Sequence, residues 1–319
     1  MSQRRFCGIL NTAISLPKAP RGGRMNQGKR GLIVSFLAVP LLLYGVFVLV
    51  PYIAAMVFAF TKWRGLSANI SFNGINNFIK LSNDSNFLNA LSHNGVALIV
   101  LPVCIVGLAL FFAFLFTQGI RFARFFRITF FFPQVMSTVV VAVLWSFIFH
   151  PTIGLINGTA TALGISGLKG FPWLGNASTV FPAVLAVTIW QAVGFYMVMF
   201  VAGMQNIPTS YYEAAKIDGA TPWVLFWQIT VPLLWDTLRT AIIFLAAGAM
   251  DLFALVNVMT NGSGGPSRGA DVLSTYMYQT AFTRSEFGYA SAMGLVLLLI
   301  VLGISLVSMR LTARDSLEF

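Results

Sequence analysis

The chain is poor in charged residues, cysteine and histidine. Only 9% of its 319 residues are Asp, Glu, Lys or Arg, and it has two cysteines and two histidines. Soluble domains carry about a quarter charged residues, so an ordinary soluble protein is excluded. Two cysteines, at 7 and 104, give neither a disulfide framework nor CxxC spacing. Because 57% of the residues are hydrophobic, the composition indicates a polytopic membrane protein.

Sequence motifs for binding ATP or a metal ion are also missing. The chain has no G-x-x-x-x-G-K-[ST] phosphate loop, so active transport would need an energy source on another subunit. His93 and His150 lie at the edges of apolar runs, without a carboxylate or third ligand nearby. We therefore expect them to be structural residues, and we expect no metal and no cofactor in this chain.

Six long apolar runs account for the hydrophobic excess. A helix needs about 20 apolar residues to cross the bilayer, so the runs predict an all-α protein with six transmembrane helices. Pro40 and Pro51 are expected to bend the first helix. The predicted spans are residues 31–60, 96–116, 128–149, 180–204, 240–259 and 290–309.

The basic residues predict the orientation of these helices. With the N-terminus inside, 14 of the 20 Lys and Arg residues lie in cytoplasmic segments. The positive-inside rule therefore predicts that both termini are cytoplasmic. It also explains the net charge of +11 without a nucleic-acid partner. The six outer basic residues are Lys62, Arg64, Lys80, Lys169, Arg268 and Arg284.

Residues 1–24 differ in composition from the rest of the chain. They are rich in Arg, contain Pro17 and Pro20, and lack a sustained apolar run. No small-residue cleavage site follows an apolar core, which disfavours a secretory signal. We expect a disordered basic cytoplasmic extension, followed by one membrane domain at residues 25–319.

The cytoplasmic connection between spans four and five, residues 205–236, predicts helices where a plain loop would be expected. Ser210 and Glu213 have the spacing of a capping box, which predicts a helix from about Tyr211. Gly219 suits a left-handed stop two turns later. Taken singly, Glu213 and Gly219 could serve only as a cap and a turn.

A second short helix is predicted directly after this turn. Thr221 is a preferred N-cap residue, Pro222 suits the first helical position, and Pro232 helps to end the helix. Trp and Phe side chains occur on more than one face between residues 223 and 229. Such a segment suits the membrane surface or a partner protein.

The order of residues in this connection matches a family signature. Glu-Ala-Ala, a glycine four residues further on and a later Ile-x-x-Pro-Leu resemble the EAA motif of ABC importer permeases. From about residue 30 to the C-terminus, the chain resembles sugar-uptake permeases of the maltose and glycerol-3-phosphate type. The matching residues are Glu213, Ala214, Ala215, Asp218, Gly219, Ala220, Ile229, Pro232 and Leu233.

Two other phrases resemble the same family. Residues 127–133, Arg-Ile-Thr-Phe-Phe-Phe-Pro, are similar to the cytoplasmic start of its third core helix. Asp251 and the turn at residues 258–266 are similar to its acidic residue and its T-G-G-G-P turn. Asn261 and Ser263 interrupt the glycine run here, so the loop shape is expected to differ.

The resemblance implies a bacterial plasma-membrane permease that works with three kinds of partner. These are a second homologous permease, a cytoplasmic ABC ATPase dimer that carries Mg-ATP, and an extracytoplasmic solute-binding protein. The EAA loop would form a coupling helix, with Glu213 meeting polar or basic groups of the ATPase and Gly219 allowing the turn. The sequence, including its end at residues 314–319, looks most like actinobacterial permeases for amino sugars or short oligosaccharides.

Polar and aromatic residues inside the spans are candidates for the substrate pathway. An aromatic ring and amide donors suit a sugar, whose CH face stacks and whose hydroxyls need hydrogen bonds. Helix packing, with Gln191 bonding between helices, is an equal alternative. The candidates in span four are Trp190, Gln191, Gly194 and Tyr196.

Span five contributes Asp251 and, near its outer end, Asn257. Asp251 is expected to line the pathway, pair with a cation on the second permease, or brace a gate. An ion-coupled transporter or channel is the alternative function, but it predicts several intramembrane charges or internal repeats. A membrane serine protease at Ser263 is excluded, because neither histidine lies in a later span.

Overall fold

The computed structural model describes residues 27–65, 69–119 and 121–311. The predicted extension at residues 1–24 lies outside the described residues. The described chain is mostly helical, which confirms the predicted fold class in its coarse form. It also holds one antiparallel pair of short strands, β1 (Thr61–Lys62) and β2 (Ser71–Phe72).

The described part of the chain divides into two units, with the boundary between residues 54 and 55. The first helical stretch consists of α1 (Gln27–Tyr44), a π-helical turn (Gly45–Leu49) and α2 (Val50–Phe58). Pro51 cannot donate the backbone hydrogen bond expected of a residue inside a helix, and the widened turn directly precedes it. Helix α1 continues through Pro40, so the structure shows a π-helical turn near Pro51 where bends were predicted at both prolines.

The other helices belong to the second unit. They are α3 (Asn76–Ser82), α4 (Ser85–Thr117), α5 (Ala123–Val135), α6 (Thr138–Ile148), α7 (Leu155–Ala162), α8 (Val180–Gln205), α9 (Thr209–Ile217), α10 (Pro222–Val224), α11 (Val231–Leu233), α12 (Trp235–Gly248), α13 (Phe253–Met259), α14 (Leu273–Tyr278) and α15 (Phe287–Leu311). The π-helical segment Leu225–Thr230 joins α10 to α11, and the π-helical segment Gln279–Thr283 follows α14.

Helices α4 and α8 form the core of the second unit, and α5 and α12 pack against them. Small side chains on α4 allow the close approach of neighbouring helices that is typical of membrane proteins. Its buried residues recur at the spacing of one helical face. They include Ala97, Leu101, Ile105, Ala109 and Ala113.

The predicted third span, residues 128–149, is not one straight helix. Helices α5 and α6 are bent by 100° relative to each other. Met136 and Ser137 between them have extended backbone, with ψ of 145° and 133°. Pro133 in the last turn of α5 also lacks the N–H for an intrahelical bond. The apolar run at residues 128–149 predicts one span without showing this bend, because apolar length does not show where a helix breaks.

The predicted fifth span, residues 240–259, is also interrupted. Helix α12 ends at Gly248 and α13 starts at Phe253. Fully buried Asn94 of α4 supports the break, because its amide donates to the Ala249 carbonyl at 3.0 Å and accepts from the Leu273 N–H at 2.9 Å. The first bond satisfies a carbonyl that the break leaves open, and the second ties the start of α14 to α4. Asp251 therefore lies in the break, not inside a continuous helix.

Four helices of the described chain are long and apolar enough to cross a membrane. The number rises to six if each of two bent pairs forms one span. The pairs are α5 with α6 and residues 222–233 with α12. The structure therefore shows a helical, multi-pass membrane protein with four to six spans. The four unbroken candidates are Gly31–Phe58, Ser85–Thr117, Val180–Gln205 and Phe287–Arg310.

Candidate functional site

The first helix of the EAA loop, α9, starts earlier than predicted. Pro208 is its N-cap residue, and no side chain caps the helix. The predicted capping box of Ser210 and Glu213 is therefore wrong, because Glu213 falls in the second turn. The Glu213 carboxylate is exposed and has no hydrogen-bond or ion-pair partner among the described residues. This charge is available to a partner protein.

The turn after α9 confirms the stop predicted at Gly219. Gly219 has φ +79°, and its N–H donates to the Lys216 carbonyl at 3.1 Å. The Ala220 N–H donates to the Ala215 carbonyl at 2.9 Å, which completes a Schellman motif. A Cβ at Gly219 would meet no atom within 4 Å. The left-handed backbone, not crowding, therefore favours glycine.

The second helix of the loop begins as predicted and extends further. The Thr221 hydroxyl accepts a hydrogen bond from the Val224 N–H at 3.4 Å, and Pro222 is the first helical residue. The helix passes through the π-helical segment Leu225–Thr230 and ends at Leu233. Pro232 is thus one residue from the end that it was predicted to help form.

The EAA loop presents a mixed acidic and apolar surface. Ile217 is 86% exposed and Trp223 is 62% exposed. Large apolar side chains exposed together mark an interaction site. We call this surface the outward face of the loop. Its residues are Tyr211, Glu213, Ala214, Ile217, Asp218, Trp223 and Trp227, all exposed.

The opposite side of the EAA loop is anchored to the core. Phe226 is 4% exposed, and its ring centroid lies 4.7 Å from that of Phe114 on α4. Tyr212 and Ala215 on α9 are half-buried. The outward face is therefore held in place by side chains that pack against the core.

Three of the predicted pathway residues on α8 are buried. Gln191 and Tyr196 are each 8% exposed. The Gln191 amide donates a long, weak hydrogen bond of 3.5 Å to the Met136 carbonyl. A Cβ on Gly194 would lie 1.8 Å from the Phe130 carbonyl oxygen. Gly194 therefore lets α5 and α8 pack closely, which fits the packing alternative.

The other pathway candidates are more accessible. Trp190 is 39% exposed and meets Trp145 of α6 edge-on, with ring centroids 5.3 Å apart. Asp251 is exposed in the break between α12 and α13, and Asn257 on α13 is half-buried. The structure thus separates the candidates into a buried group that packs helices and an accessible group that could meet a solute.

Sequence reasoning missed a polar cluster around Asp84, the N-cap residue of α4. One carboxylate oxygen accepts from the Asn86 and Phe87 N–H groups at 3.0 and 3.4 Å. The other accepts from the Tyr276 and Tyr289 hydroxyls at 2.6 and 2.7 Å. We call this cluster the Asp84 hub. It joins the start of α4 to α14 and α15.

The hydrogen bonds of the hub lower the pKa of Asp84. Burial, the largest influence, raises the pKa, but the hydroxyl donors of Tyr276 and Tyr289 and the two backbone amides together outweigh it. Asp84 therefore stays ionised to a lower pH than an ordinary aspartate. Nothing in the local sequence predicts the hub, because Tyr276 is 192 residues away.

A second carboxylate with several donors, Asp271, packs against the turn at residues 258–266, whose shape was predicted to differ from that of the family. It is fully buried and accepts from Arg268 and Thr275, each at 2.5 Å. Burial raises the pKa of Asp271 despite these donors. A Cβ on Gly264 would touch its side chain at 2.8 Å. Asn261, where the glycine run is interrupted, has φ +51°, which asparagine tolerates.

The hub allows a test of stability against pH. Asp84→Asn keeps an N-cap oxygen but loses the charge that strengthens the two tyrosine bonds. We expect the free energy of unfolding to fall by about 1–2 kcal/mol at pH 7. Because the folded pKa is lowered, the advantage of aspartate is complete above the unfolded pKa of about 3.9 and is lost as the pH falls through the folded pKa.

Thermal unfolding in detergent at neutral and acid pH measures this difference. Glu286→Gln is the control, because it breaks the exposed Lys80–Glu286 ion pair of 2.6 Å beside the hub and leaves the hydrogen bonds of Asp84 in place. An exposed pair contributes about 0–1 kcal/mol, so little change is expected. If the difference in the free energy of unfolding between wild type and Asp84→Asn is the same at all pH values, the ionised state assigned to Asp84 is contradicted.

Comparisons with known proteins identify related transport proteins. The family described as "Binding-protein-dependent transport system inner membrane component" matches residues 105–314, which include the whole loop. The chain is 38% identical over 298 residues to the diacetylchitobiose uptake system permease protein NgcF of Streptomyces coelicolor. That match covers 89% of this chain and 84% of NgcF.

Two solved structures share the fold. One is a bacterial ABC transporter involved in the import of the acidic polysaccharide alginate, with TM-score 0.77, 21% identity, and coverage of 91% of this chain and 98% of that chain. The other is a bacterial alginate ABC transporter in complex with an alginate pentasaccharide-bound periplasmic protein, with TM-score 0.76, 22% identity, and coverage of 91% and 96%. By family match and sequence identity, the chain belongs to the inner-membrane components of binding-protein-dependent transport systems.

Proposed function

We propose that this chain is one half of the membrane domain of an ATP-driven carbohydrate importer. In this proposal the EAA loop, residues 205–236, carries the movement of a cytoplasmic ATPase to the membrane helices. The observation that supports it most is the outward face, which presents exposed Glu213, without a partner in the part of the chain that the structure describes, together with exposed Ile217 and Trp223.

The ATPase is the proposed partner of the outward face. Glu213 would meet basic or polar groups of the ATPase, and exposed apolar side chains would fill its groove. The turn at Asp218, Gly219 and Ala220 would fit the groove, and Pro232 closes the second helix of the loop. The chain has no Walker A sequence, so Mg-ATP would bind to the ATPase dimer and not to the permease.

Two further partners complete the proposed importer. A second, homologous permease would form the other half of the pathway, and an extracytoplasmic solute-binding protein would deliver the substrate. The fold shared with an alginate transporter solved in complex with its periplasmic protein supports this arrangement. Both termini and the EAA loop would be cytoplasmic, as the excess of basic residues in those segments supports.

The proposed substrate is an amino sugar or a short oligosaccharide. The name of the relative NgcF, a diacetylchitobiose uptake permease, supports this class. Trp190 offers an exposed ring for a sugar face, and Asp251 offers an acceptor for hydroxyl or amide N–H groups. With Asn257, these residues would face the pathway, whereas Gln191, Gly194 and Tyr196 would support it. The alternative remains an ion-coupled transporter or channel.

Affinity purification from the native membrane in mild detergent, followed by mass spectrometry, tests the proposal. We expect a Walker A ATPase and a second EAA permease in near-equal amounts. A solitary or homo-oligomeric chain, after controls for detergent loss, would favour the alternative. The same complex, reconstituted with its binding protein, tests the pathway: Trp190→Ala should reduce sugar uptake while the ATPase stays bound.

A further inference from the structure

The inward side of α9 is joined to the next helical segment by a chain of hydrogen bonds. The Tyr212 hydroxyl lies 3.2 Å from the Thr230 hydroxyl, which donates to the Leu225 carbonyl at 3.1 Å. A threonine hydroxyl has one hydrogen, so Tyr212 must donate to Thr230 in this arrangement. Thr230 is only 4% exposed. Loss of the Tyr212 hydroxyl removes one of the two bonds of the buried Thr230 hydroxyl, and loss of the Thr230 hydroxyl removes both.

This chain of bonds ends in the π-helical segment Leu225–Thr230. Thr230 and Leu225 are five residues apart, which is the hydrogen-bond spacing of a π-helix, so the Thr230 side chain reinforces the widened turn. Phe226 of the same segment packs against Phe114 of α4. The segment is therefore held from two sides, by α9 and by the core.

Helix α12 links this segment to the accessible pathway candidate Asp251. The chain bends by 70° before α12, which starts at Trp235, five residues after Thr230. Its 14 residues span about 21 Å. At its far end, Asn94 holds the break that contains Asp251. A movement of α9 can thus reach this break through Thr230 and one rigid helix.

We propose that Tyr212 and Thr230 are positioning residues that transmit the movement of α9 to α12. Their hydrogen bond then sets how much ATP is hydrolysed for each sugar transported. This inference rests on the proposed function, in which α9 binds the ATPase. Tyr212 is half-buried and bonded to buried Thr230, whereas Glu213 is exposed, so both act inside the permease and not on the ATPase.

The test measures ATP hydrolysis and sugar uptake in the complete importer, reconstituted in lipid vesicles with its binding protein. Tyr212→Phe keeps the ring and removes the hydroxyl, and Thr230→Val keeps the shape and removes the hydroxyl. We expect the ATPase to stay bound in both variants. The ATP hydrolysed per sugar should rise about two- to tenfold, the factor expected from the loss of one hydrogen bond.

Three further variants separate transmission from a merely structural effect. The double variant Tyr212→Phe with Thr230→Val should equal Thr230→Val alone, because Thr230→Val already removes the bond to Tyr212 together with the bond to Leu225. Thr230→Ser keeps the hydroxyl and should therefore keep the wild-type ratio of ATP hydrolysed to sugar transported. Thr240→Val is the control, because the Thr240 hydroxyl bonds only the Asp236 carbonyl within α12, at 2.9 Å, and no change is expected.

The outcomes of this experiment are distinct. An unchanged ratio of ATP to sugar in both single variants, or effects that multiply in the double variant, would overturn the inference. Loss of the ATPase from Tyr212→Phe would make Tyr212 a docking residue, which also overturns it. Failure of the proposed function would give a different result: the ATPase would be absent from the wild-type complex. If Thr230→Val does not assemble, Tyr212→Phe and Thr230→Ser decide the question.

Discussion

Replacing Gly194 by alanine is expected to lower the free energy of unfolding of the membrane domain by about 3 kcal/mol. The added Cβ would lie 1.8 Å from the Phe130 carbonyl oxygen and 2.4 Å from its carbonyl carbon. Backbone atoms cannot rotate away as a side chain can, so α5 and α8 must separate. The contact joins two helices of the core, and the loss is therefore expected to spread beyond the substituted position.

The matched control is Gly107→Ala on α4. Its Cβ would meet no atom within 4 Å, and alanine favours a helix over glycine by about 1 kcal/mol. We expect no loss of stability there. Thermal unfolding of both variants in one detergent, followed by tryptophan fluorescence, measures the difference. If Gly194→Ala unfolds at the wild-type temperature and only uptake falls, Gly194 belongs to the pathway instead.

The sequence predicts two of the unbroken helices well, but the predicted second span starts 11 residues after the true start of α4 at Ser85, and the breaks are not predicted. Apolar length alone predicts α8 and α15 to within three residues at each end, because lipid requires every backbone group to be bonded inside the helix. The break after α12 was not predictable in this way. Buried Asn94, on a different helix, supplies a hydrogen bond to the Ala249 carbonyl that the break leaves open.

The same distinction holds within the EAA loop. Gly219 and Thr221 were predicted correctly because their roles depend on backbone geometry within a few residues. The capping box failed because Pro208 starts the helix earlier. The contact between Tyr212 and Thr230 joins residues 18 positions apart through folded helices. No local pattern shows such a contact, and the same holds for the Asp84 hub.

Reversing the charge of Glu213 tests the largest functional effect. Glu213 is exposed and has no partner among the described residues. Glu213→Lys should therefore change the free energy of unfolding by no more than about 0.5 kcal/mol. A lysine facing basic or polar groups of the ATPase should weaken docking by about 3 kcal/mol, or more than a hundredfold. We expect the ATPase to be lost from the purified complex and sugar uptake to fall to background.

Gln118→Lys is the control for Glu213→Lys, because it adds a lysine outside the EAA loop on the side of the protein predicted to be cytoplasmic. Gln118 is the exposed C-cap residue of α4, outside the EAA loop, and it lies in a segment predicted to be cytoplasmic. The Gln118→Lys variant should keep the ATPase and transport normally.

Glu213→Gln should be intermediate, because it removes attraction without adding repulsion. Normal ATPase binding and uptake in Glu213→Lys would refute the coupling role of α9. Loss of both, with an unchanged unfolding temperature, would assign the defect to the outward face and not to folding.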